Sequence, residues 1–432
     1  MKFHYVVKLK QELLGPIKVP FWVDFIHDKS AVVETLTPGF DRLMREAGAK
    51  FWVTREYKLS QPSGSPEEIR QGLDRTYRII LQRDYRLPAD LVERIRLVPE
   101  IEEARPLDVA ETSLPRPELA AAASVEARRA RDLIHLSYAR AMTAGLPEVT
   151  IAVLDTGVDL GHPELAGKSA RGADFVDLEG LDTSSFVGDF AGYDRDPGDE
   201  VGHGTHVCGI IAGKGLRMDE GVAPGCTLLP VRVLATMRSG GQNVGAGIVD
   251  NINVGIKWAV DRGADVINMS LGIRHTGGGL PHEDVIRYAL ARNVTVVAAS
   301  GNDGTAEKYY PGALPGVWAV GAADEDGNVA GFTSYGADIT VVAPGARIYS
   351  AFAQGGYAFA SGTSQAAPFV AGAVGLMKSY ARERGRTLTN GELGRVLKST
   401  SERADTRLRS VRAGYGLINL ADAFKLLRHQ MH

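Results

Sequence analysis

Three residue types that together can activate a hydroxyl group lie at the junctions between predicted strands, turns and helices. Asp155 ends a short apolar strand, His203 stands between two glycines before an apolar helical run, and Ser364 lies in the first turn of a long Ala-rich helix. Serine is a weak nucleophile at neutral pH unless a neighbouring base takes its proton. Histidine can be that base when a carboxylate fixes its tautomer. The pattern therefore indicates a nucleophilic site in which Ser364 attacks, His203 is the base and Asp155 orients the imidazole.

The same residues also have structural interpretations when each is taken alone. Asp and Ser are common caps of helices and turns, and a histidine beside a helix is often a core residue. A fourth residue favours the chemical interpretation, because Asn302 also follows the end of an apolar strand. Its side-chain amide could donate a hydrogen bond to the oxyanion formed by attack on a carbonyl, with the backbone N–H of Ser364 as the second donor. Four such residues in four separate segments favour one site over four unrelated structural roles.

The surroundings of these residues resemble the subtilisin-like (subtilase) family of serine proteases over roughly residues 133–427. The order Asp, His, Ser along the chain is that of subtilisin. The matching motifs are Asp155-Thr-Gly157, His203-Gly-Thr-His206, Gly362-Thr-Ser364 with Pro368 four residues beyond Ser364, and Asn302. The resemblance implies a serine endopeptidase that hydrolyses polypeptides through an acyl-enzyme on Ser364. In that comparison Asp155 and His203 complete the catalytic triad, and Asn302 belongs to the oxyanion hole.

Two rival interpretations were weighed against this one. A catalytically silent relative would use the same fold as a binding module. A sedolisin-type peptidase would carry Glu at position 203 and Asp at position 302, and the sequence has neither. Gln365 stands where many relatives carry Met, which removes an oxidisable thioether beside Ser364.

The resemblance also implies two chain segments that bind an extended peptide as an added strand. Both are rich in glycine, which allows a close approach of two backbones. The residues concerned are Ser270, Leu271 and Gly272 on one side of the peptide and Ser239, Gly240 and Gly241 on the other. Tyr309 and Tyr310 fall near the floor of the first side-chain pocket, so the resemblance leaves the preference of that pocket open.

No cofactor is expected for the chemistry, and metal ligands are left open. The spacing of His203, His206 and Cys208 fits no common zinc pattern. Residues 214–220 form a shorter loop than the calcium-binding loop of secreted relatives, and they lack its pair of Asn residues. A structural calcium ion in the acidic stretch 189–200 remains an alternative.

The strands of residues 133–432 are continuous apolar runs, such as Val231-Arg-Val-Leu234 and Val294-Thr-Val-Val-Ala298. Runs of this kind are typical of parallel sheets that are covered on both faces. The fold class is therefore α/β, a mostly parallel sheet between layers of helices as in subtilisin. The pattern predicts a helix over 364–381 and another over 244–262. Asp155 and Asn302 follow strand ends, where sites form in such sheets.

Residues 1–110 lack the glycine-rich turns of the rest of the chain and show a strand-helix-strand pattern twice. This predicts a small α+β, ferredoxin-like unit with a four-stranded antiparallel sheet. By resemblance it is a prodomain that assists folding and inhibits its own protease by laying its tail in the substrate cleft; the alternative is an unrelated accessory domain. Residues 111–132 are predicted as an exposed linker with a processing site. Arg128-Arg129 could be a dibasic cut or a solvated surface.

Composition excludes several classes of function. The 432-residue chain has 49 basic and 52 acidic residues and a net charge of -3, so no nucleic-acid partner is expected. Cys208 and Cys226 cannot form a disulfide framework, and we predict two buried free thiols. No apolar run reaches the length of a membrane span, so no membrane partner is expected. The first ten residues alternate as a strand rather than a signal peptide, which favours a cytoplasmic location, with secretion as the alternative.

Overall fold

The first hundred residues form an antiparallel sheet with strand order β2-β3-β1-β4. The structure, a computed structural model, describes residues 4–13, 18–120, 129–178, 183–190, 192–239, 242–274, 280–403 and 409–431. Here the elements are β1 (Tyr5–Leu9), α1 (Trp22–His27), α2 (Pro38–Glu46), β2 (Phe51–Arg55), α3 (Pro66–Gln71), β3 (Thr76–Leu81), α4 (Leu91–Arg96) and β4 (Ile101–Pro106). This N-terminal domain has the predicted α+β architecture. Helices α1 and α3 were not predicted, although Ser65 and Glu68 form a capping box at the start of α3.

The rest of the chain is built around a seven-stranded parallel sheet with strand order β18-β17-β15-β13-β7-β10-β8. The next elements are β5 (Val109–Thr112), β6 (Glu118–Leu119), α5 (Arg129–Leu133), α6 (Leu136–Met142), β7 (Thr150–Asp155), β8 (Ala173–Asp174), β9 (Phe186–Val187), α7 (His203–Ala212), β10 (Thr227–Arg232), β11 (Ala235–Ser239), β12 (Gln242–Ile248), α8 (Val249–Asp261) and β13 (Val266–Met269). The last are β14 (Ile273–Arg274), α9 (Glu283–Ala291), β15 (Thr295–Ala299), β16 (Tyr309–Tyr310), β17 (Trp318–Ala323), β18 (Ile339–Pro344), β19 (Ile348–Phe352), β20 (Gly356–Ala360), α10 (Thr363–Arg382), α11 (Asn390–Thr400) and α12 (Leu420–Met431).

Both faces of this sheet are buried, which the side chains of β7 illustrate. Ile151 and Val153 pack into an apolar cluster with α7, α10 and α12, whereas Ala152 and Leu154 pack into a second cluster with α8 and α9. The alternation follows from the two-residue period of a strand. The predicted fold, a mostly parallel sheet between layers of helices, is confirmed.

The stretch just before α8 differs from the prediction, which extended that helix back to residue 244. Residues 242–248 form β12 instead, which pairs antiparallel with β11 in a hairpin. Gly245 and Gly247 carry no side chain, and a Cβ added to Gly247 would lie 2.3 Å from the Val233 carbonyl oxygen. Glycine weakens a helix and permits this close backbone approach, so the tertiary pairing prevails.

Residues 111–120, predicted as the start of an exposed linker, are held together with residues 109 and 110 on the larger domain by two strand pairings. Strand β5 pairs antiparallel with β12, and β6 pairs antiparallel with β20. Several of their side chains remain exposed, but the backbone is engaged at both ends. We call residues 109–120 the cleft segment. Arg129 is exposed at the start of α5, and Arg128 lies outside the described residues.

Two further predictions concern cysteine and membranes. Cys208 and Cys226 are both buried free thiols, as predicted. Within the described parts of the chain, no helix combines the length and the apolar character needed to cross a membrane.

Candidate active site

Asp155 and His203 meet where the end of β7 packs against the start of α7. Gly157 lies in the turn after β7, and a Cβ added to Gly204 would lie 2.1 Å from its carbonyl oxygen. Only glycine at position 204 allows this approach. The Nδ1 atom of His203 lies 2.6 Å from Oδ1 of Asp155, and both side chains are buried. The structure therefore brings together two of the predicted site residues in a hydrogen bond.

The hydrogen bond fixes which nitrogen of His203 carries the proton. The carboxylate of Asp155 can only accept, so Nδ1 donates and Nε2 is left as the basic nitrogen. Among the described residues Nε2 has no hydrogen-bond partner. Burial would by itself lower the pKa of His203, but the charge and hydrogen bond of Asp155 and the charge of Asp199 outweigh it and raise that pKa. The imidazole is therefore suited to accept a proton.

Ser364 occupies the first turn of α10, and Pro368 one turn later changes its hydrogen bonding. Proline has no N–H, so it cannot bond the carbonyl oxygen of residue 364 as a normal helix residue would. That oxygen instead accepts a hydrogen bond from Ser270 Oγ at 2.8 Å. Ser270 Oγ in turn accepts from Asn268 Nδ2 at 3.0 Å. The backbone of Ser364 is thereby fixed to the segment that follows β13.

The hydroxyl of Ser364 is not bonded to His203 in this structure. Its Oγ donates to the carbonyl oxygen of Ser270 at 3.0 Å, and the side chain is almost fully buried. Proton transfer to His203 therefore requires the hydroxyl of Ser364 to break its hydrogen bond with the carbonyl oxygen of Ser270. Gly362, the residue before α10, gives no side-chain cap, so the positive end of this helix lies beside Ser364.

The side-chain oxygen of Asn302 is held by hydrogen bonds, and its amide nitrogen lies beside Gly362. Its Oδ1 accepts from the backbone N–H and the hydroxyl of Thr363, at 2.8 and 2.9 Å. Its Nδ2 lies 3.4 Å from the place where a Cβ on Gly362 would be. Asn302 and Ser364 thus flank the same end of α10. Their N–H groups are available there for a developing negative charge.

The cleft segment has a neighbouring chain segment on each side. One of them is the segment predicted to bind substrate, and the other is β12 instead of the predicted residues 239–241. Thr112 is opposite Gly245 of β12, and its Oγ1 accepts from the N–H of Gly272 at 3.3 Å. Gly272 therefore contacts the cleft segment, and the assignment of residues 270–272 to substrate binding stays a prediction. Ser239 ends β11, which β12 separates from the cleft segment, and Gly240 and Gly241 lie outside the described residues. The strand that faces the cleft is β12, with Gly245, Ala246 and Gly247.

Asp199 is a supporting residue that the sequence analysis did not single out. Its carboxylate accepts hydrogen bonds from the hydroxyls of Thr156 and Thr205 and from the N–H of Gly202. It therefore joins the turn after Asp155 to the start of α7. The signal was present in the sequence, because an acidic residue lies four positions before His203, but the acidic stretch was considered only for calcium.

His206, considered above with His203 and Cys208 as a metal ligand, bonds to the backbone. Nε2 of His206 lies 3.1 Å from two backbone carbonyl oxygens, those of Ile348 and Ala358. Burial and the proximity of His203 lower the pKa of His206 to about 4, so it is neutral at pH 7. Within the described residues, no group of three or more His, Cys, Asp and Glu side chains is arranged to hold a metal ion.

Comparison with known proteins identifies the family to which this chain is similar. The subtilase family model (Peptidase_S8) matches residues 147–416. The chain is 38% identical over 272 residues to the thermophilic serine proteinase of Bacillus sp. (strain AK1), covering 62% of this chain but only 60% of that protein. It is 39% identical over 234 residues to thermitase of Thermoactinomyces vulgaris, covering 54% of this chain and 75% of thermitase.

A solved structure shows the same fold. The prenylagaramide maturation protease PagA aligns with a TM-score of 0.55 and 30% identity, covering 68% of this chain and 98% of that chain. The residues that the family model matches include β7, α7 and α10, which carry Asp155, His203 and Ser364. The chain belongs to the subtilase family of serine peptidases.

Proposed function

We propose that the chain is a serine endopeptidase that cleaves peptide bonds through an acyl-enzyme on Ser364. The observation that carries this proposal is the 2.6 Å hydrogen bond between His203 and Asp155, which leaves Nε2 of His203 basic and, among the described residues, without a hydrogen-bond partner. His206 and His282 also have one buried ring nitrogen without a partner among the described residues, so the distinguishing feature of His203 is that its other nitrogen bonds to a buried carboxylate.

The proposed reaction proceeds in two halves. The hydroxyl of Ser364 leaves the Ser270 carbonyl, His203 Nε2 takes its proton, and Oγ forms a bond to the carbonyl carbon of the substrate. Asn302 Nδ2 and the N–H of Ser364 stabilise the oxyanion. His203 then gives its proton to the leaving amine as the peptide bond breaks. Water repeats the sequence on the ester and releases the acid and free Ser364.

A fluorophosphonate probe tests this assignment directly. It reacts with an activated serine hydroxyl, so we expect labelling of the full chain at Ser364, located by peptide mass analysis. Labelling should disappear when His203 is replaced by Ala. Labelling at another serine, or equal labelling of both proteins, would contradict the proposed role of His203 and Ser364.

We also propose that the N-terminal domain inhibits the site in the same molecule. The cleft segment supports this, because it runs between β12 and residues 270–272 as a bound peptide would. Further along, Pro115 Cγ lies 3.0 Å from the place where a Cβ on Gly362 would be, next to Asn302. In this proposal the cleft segment occupies the space that a substrate needs.

Buried ion pairs hold the N-terminal domain against α8. Arg105 forms two hydrogen bonds of 2.5 Å with Asp250, and the side chain of Asp250 is fully buried. Lys257 lies 2.6 Å from Glu68, and both side chains are almost fully buried. Removing one partner from such a pair leaves the other charge buried without compensation. These contacts favour tight association.

The Arg105→Ala substitution should therefore raise the activity of the preparation. Truncating one member of a buried ion pair costs roughly 2–5 kcal/mol, so release of the N-terminal domain becomes more favourable. We expect at least about tenfold faster initial hydrolysis of an added peptide. Arg94→Ala is the matched control, since Arg94 pairs with Glu46 inside the N-terminal domain with side chains 36% and 51% exposed. Equal rates for the wild type and both variants would show that this contact does not restrain the enzyme.

Replacement of Asn302 tests the proposed oxyanion donor. Asn302→Ala should lower kcat by about 10²–10³-fold with little change in KM, because the lost hydrogen bond forms mainly in the transition state. Steady-state kinetics on a peptide substrate measures both constants. Asn328→Ala removes an exposed amide elsewhere and should leave both unchanged. A loss confined to KM would assign Asn302 to substrate binding instead.

One observation favours a second candidate, a catalytically silent binding module. Ser364 Oγ forms a hydrogen bond with the carbonyl of Ser270 and not with His203, and the cleft segment covers the site. A silent module would bind peptides without releasing products. The fluorophosphonate experiment separates the two when it is done on the Arg105→Ala variant, in which the N-terminal domain is held less tightly, because a silent site does not activate its serine even when it is uncovered.

A further inference from the structure

Tyr309 lies between the two chain segments that flank the nucleophile. A Cβ added to Gly301 would be only 2.4 and 2.5 Å from Cδ2 and Cε2 of the Tyr309 ring. A Cβ added to Gly272 would be 3.1 Å from Cβ and 3.3 Å from Cδ1 of the same residue. The ring therefore packs directly on the backbone of both glycines. It fills the gap between the segments that follow β13 and β15.

That gap is where the side chain beside the scissile bond must go. Ser364 Oγ contacts the carbonyl of Ser270, and Asn302 contacts Thr363. If Ser364 attacks and Asn302 donates to the oxyanion as proposed, the reacting carbonyl lies between residues 270 and 302. The side chain of the residue that supplies this carbonyl then points between residues 270–272 and 300–302. Behind the Tyr309 ring, a cavity lined by Ser300, Gly312 and Ser334 among others has a volume of about 20 Å³. This is room for about one water molecule.

The hydroxyl of Tyr309 keeps the ring in place. It donates to Asp303, and it accepts a hydrogen bond from Nε of Arg274 at 2.9 Å. Arg274 also forms ion pairs with Asp303 and Glu307. Strands β14 and β16 pair antiparallel, with Arg274 opposite Tyr309. Both the backbone and the hydroxyl group of Tyr309 thus form hydrogen bonds, which oppose rotation of the ring out of the gap.

We propose that Tyr309 restricts the residue that supplies the scissile carbonyl to small side chains: Gly, Ala or Ser. The proposal rests on the proposed peptidase function and adds its selectivity. An aromatic side chain would have to displace the ring and break the bonds of Tyr309 to Asp303 and Arg274. The cleft segment is consistent with this, since Ser113, a small residue, lies beside Gly272, Arg274 and Tyr309 in one groove.

The test compares two matched peptides that differ only in Ala or Phe before the cleaved bond. We expect the full-length wild type to favour the Ala peptide in kcat/KM by roughly 10–100-fold. Tyr309→Ala should reverse the preference by at least tenfold, because the ring that closes the gap is gone. Tyr309→Phe keeps the ring and should keep the preference for Ala. The ratio of the two rates does not depend on how much of each preparation is inhibited.

A second readout needs no variant. Cleavage of an unfolded protein by the wild type, with all cut sites sequenced, should yield Gly, Ala or Ser before most cuts. Frequent cuts after Phe, Leu or Tyr, or an unchanged ratio in a folded Tyr309→Ala protein, would overturn the assignment while leaving peptidase activity intact. If no peptide is cleaved and the fluorophosphonate probe fails to label Ser364, the proposed function fails, and the selectivity fails with it.

Discussion

The Ser364→Ala variant should remain a single intact chain under conditions in which the wild type separates into two fragments. Removal of the attacking hydroxyl should lower kcat on added peptides by about 10⁶-fold, the loss known from subtilisin itself. The larger wild-type fragment should begin within residues 113–118, because Pro115 in this part of the cleft segment lies beside Gly362, just before α10. Mass spectrometry over time and N-terminal sequencing measure both outcomes.

Ser361→Ala is a suitable control for that experiment. Ser361 lies three residues earlier, is exposed, and accepts a hydrogen bond from the N–H of Arg347. It should process and hydrolyse peptides like the wild type. Equal fragmentation of Ser364→Ala and the wild type would refute self-processing by Ser364 and would point to a contaminating protease.

The Asp155→Asn variant should keep the fold and lose about 10⁴-fold in kcat. The amide can donate to Nδ1 of His203, which would place the imidazole proton on Nε2, where it cannot accept the proton of Ser364. The pH profile should also change. The rate requires neutral His203 and so falls as pH drops through its pKa, which burial lowers but Asp155 and Asp199 together raise. Without the charge of Asp155, this acidic fall in rate should move to lower pH.

Asp159→Asn controls for the loss of a negative charge in the same loop. Asp159 accepts hydrogen bonds from the N–H groups of Gly161 and Gly355 and does not contact His203. Its pH profile should match that of the wild type. If the rate of Asp155→Asn falls at the same acidic pH as that of the wild type, another group controls the rate. The proposed role of His203 would then have to be abandoned.

The predictable part of the molecule was the part encoded by local patterns. Continuous apolar runs predicted the parallel strands, and the Ala-rich run after Ser364 predicted α10 closely, from Thr363 to Arg382. Asp155, Asn302 and Ser364 each follow a strand or open a helix, where polar residues are informative. The bond between His203 and Asp155 follows from this arrangement.

What the sequence did not predict depends on distant pairings. The β11–β12 hairpin replaced part of a helix because Gly247 lies directly against the backbone carbonyl of Val233, a contact that no local pattern reveals. The cleft segment forms strands only because β12 and β20 offer free edges, far away in the sequence. The bond from Ser270 to the Ser364 carbonyl depends on the missing N–H of Pro368, a consequence that becomes visible only in three dimensions.

The pairing of one segment with two separate sheet edges has a consequence for the choice of polypeptide. An occupant that bridges β12 and β20 must be extended over about 12 residues, or roughly 40 Å. Compact proteins rarely present such a stretch without losing some of their own structure first. We therefore expect the open cleft to discriminate by conformation: the susceptibility of a folded protein should follow the free energy of its local unfolding, and denatured chains should be cut fastest.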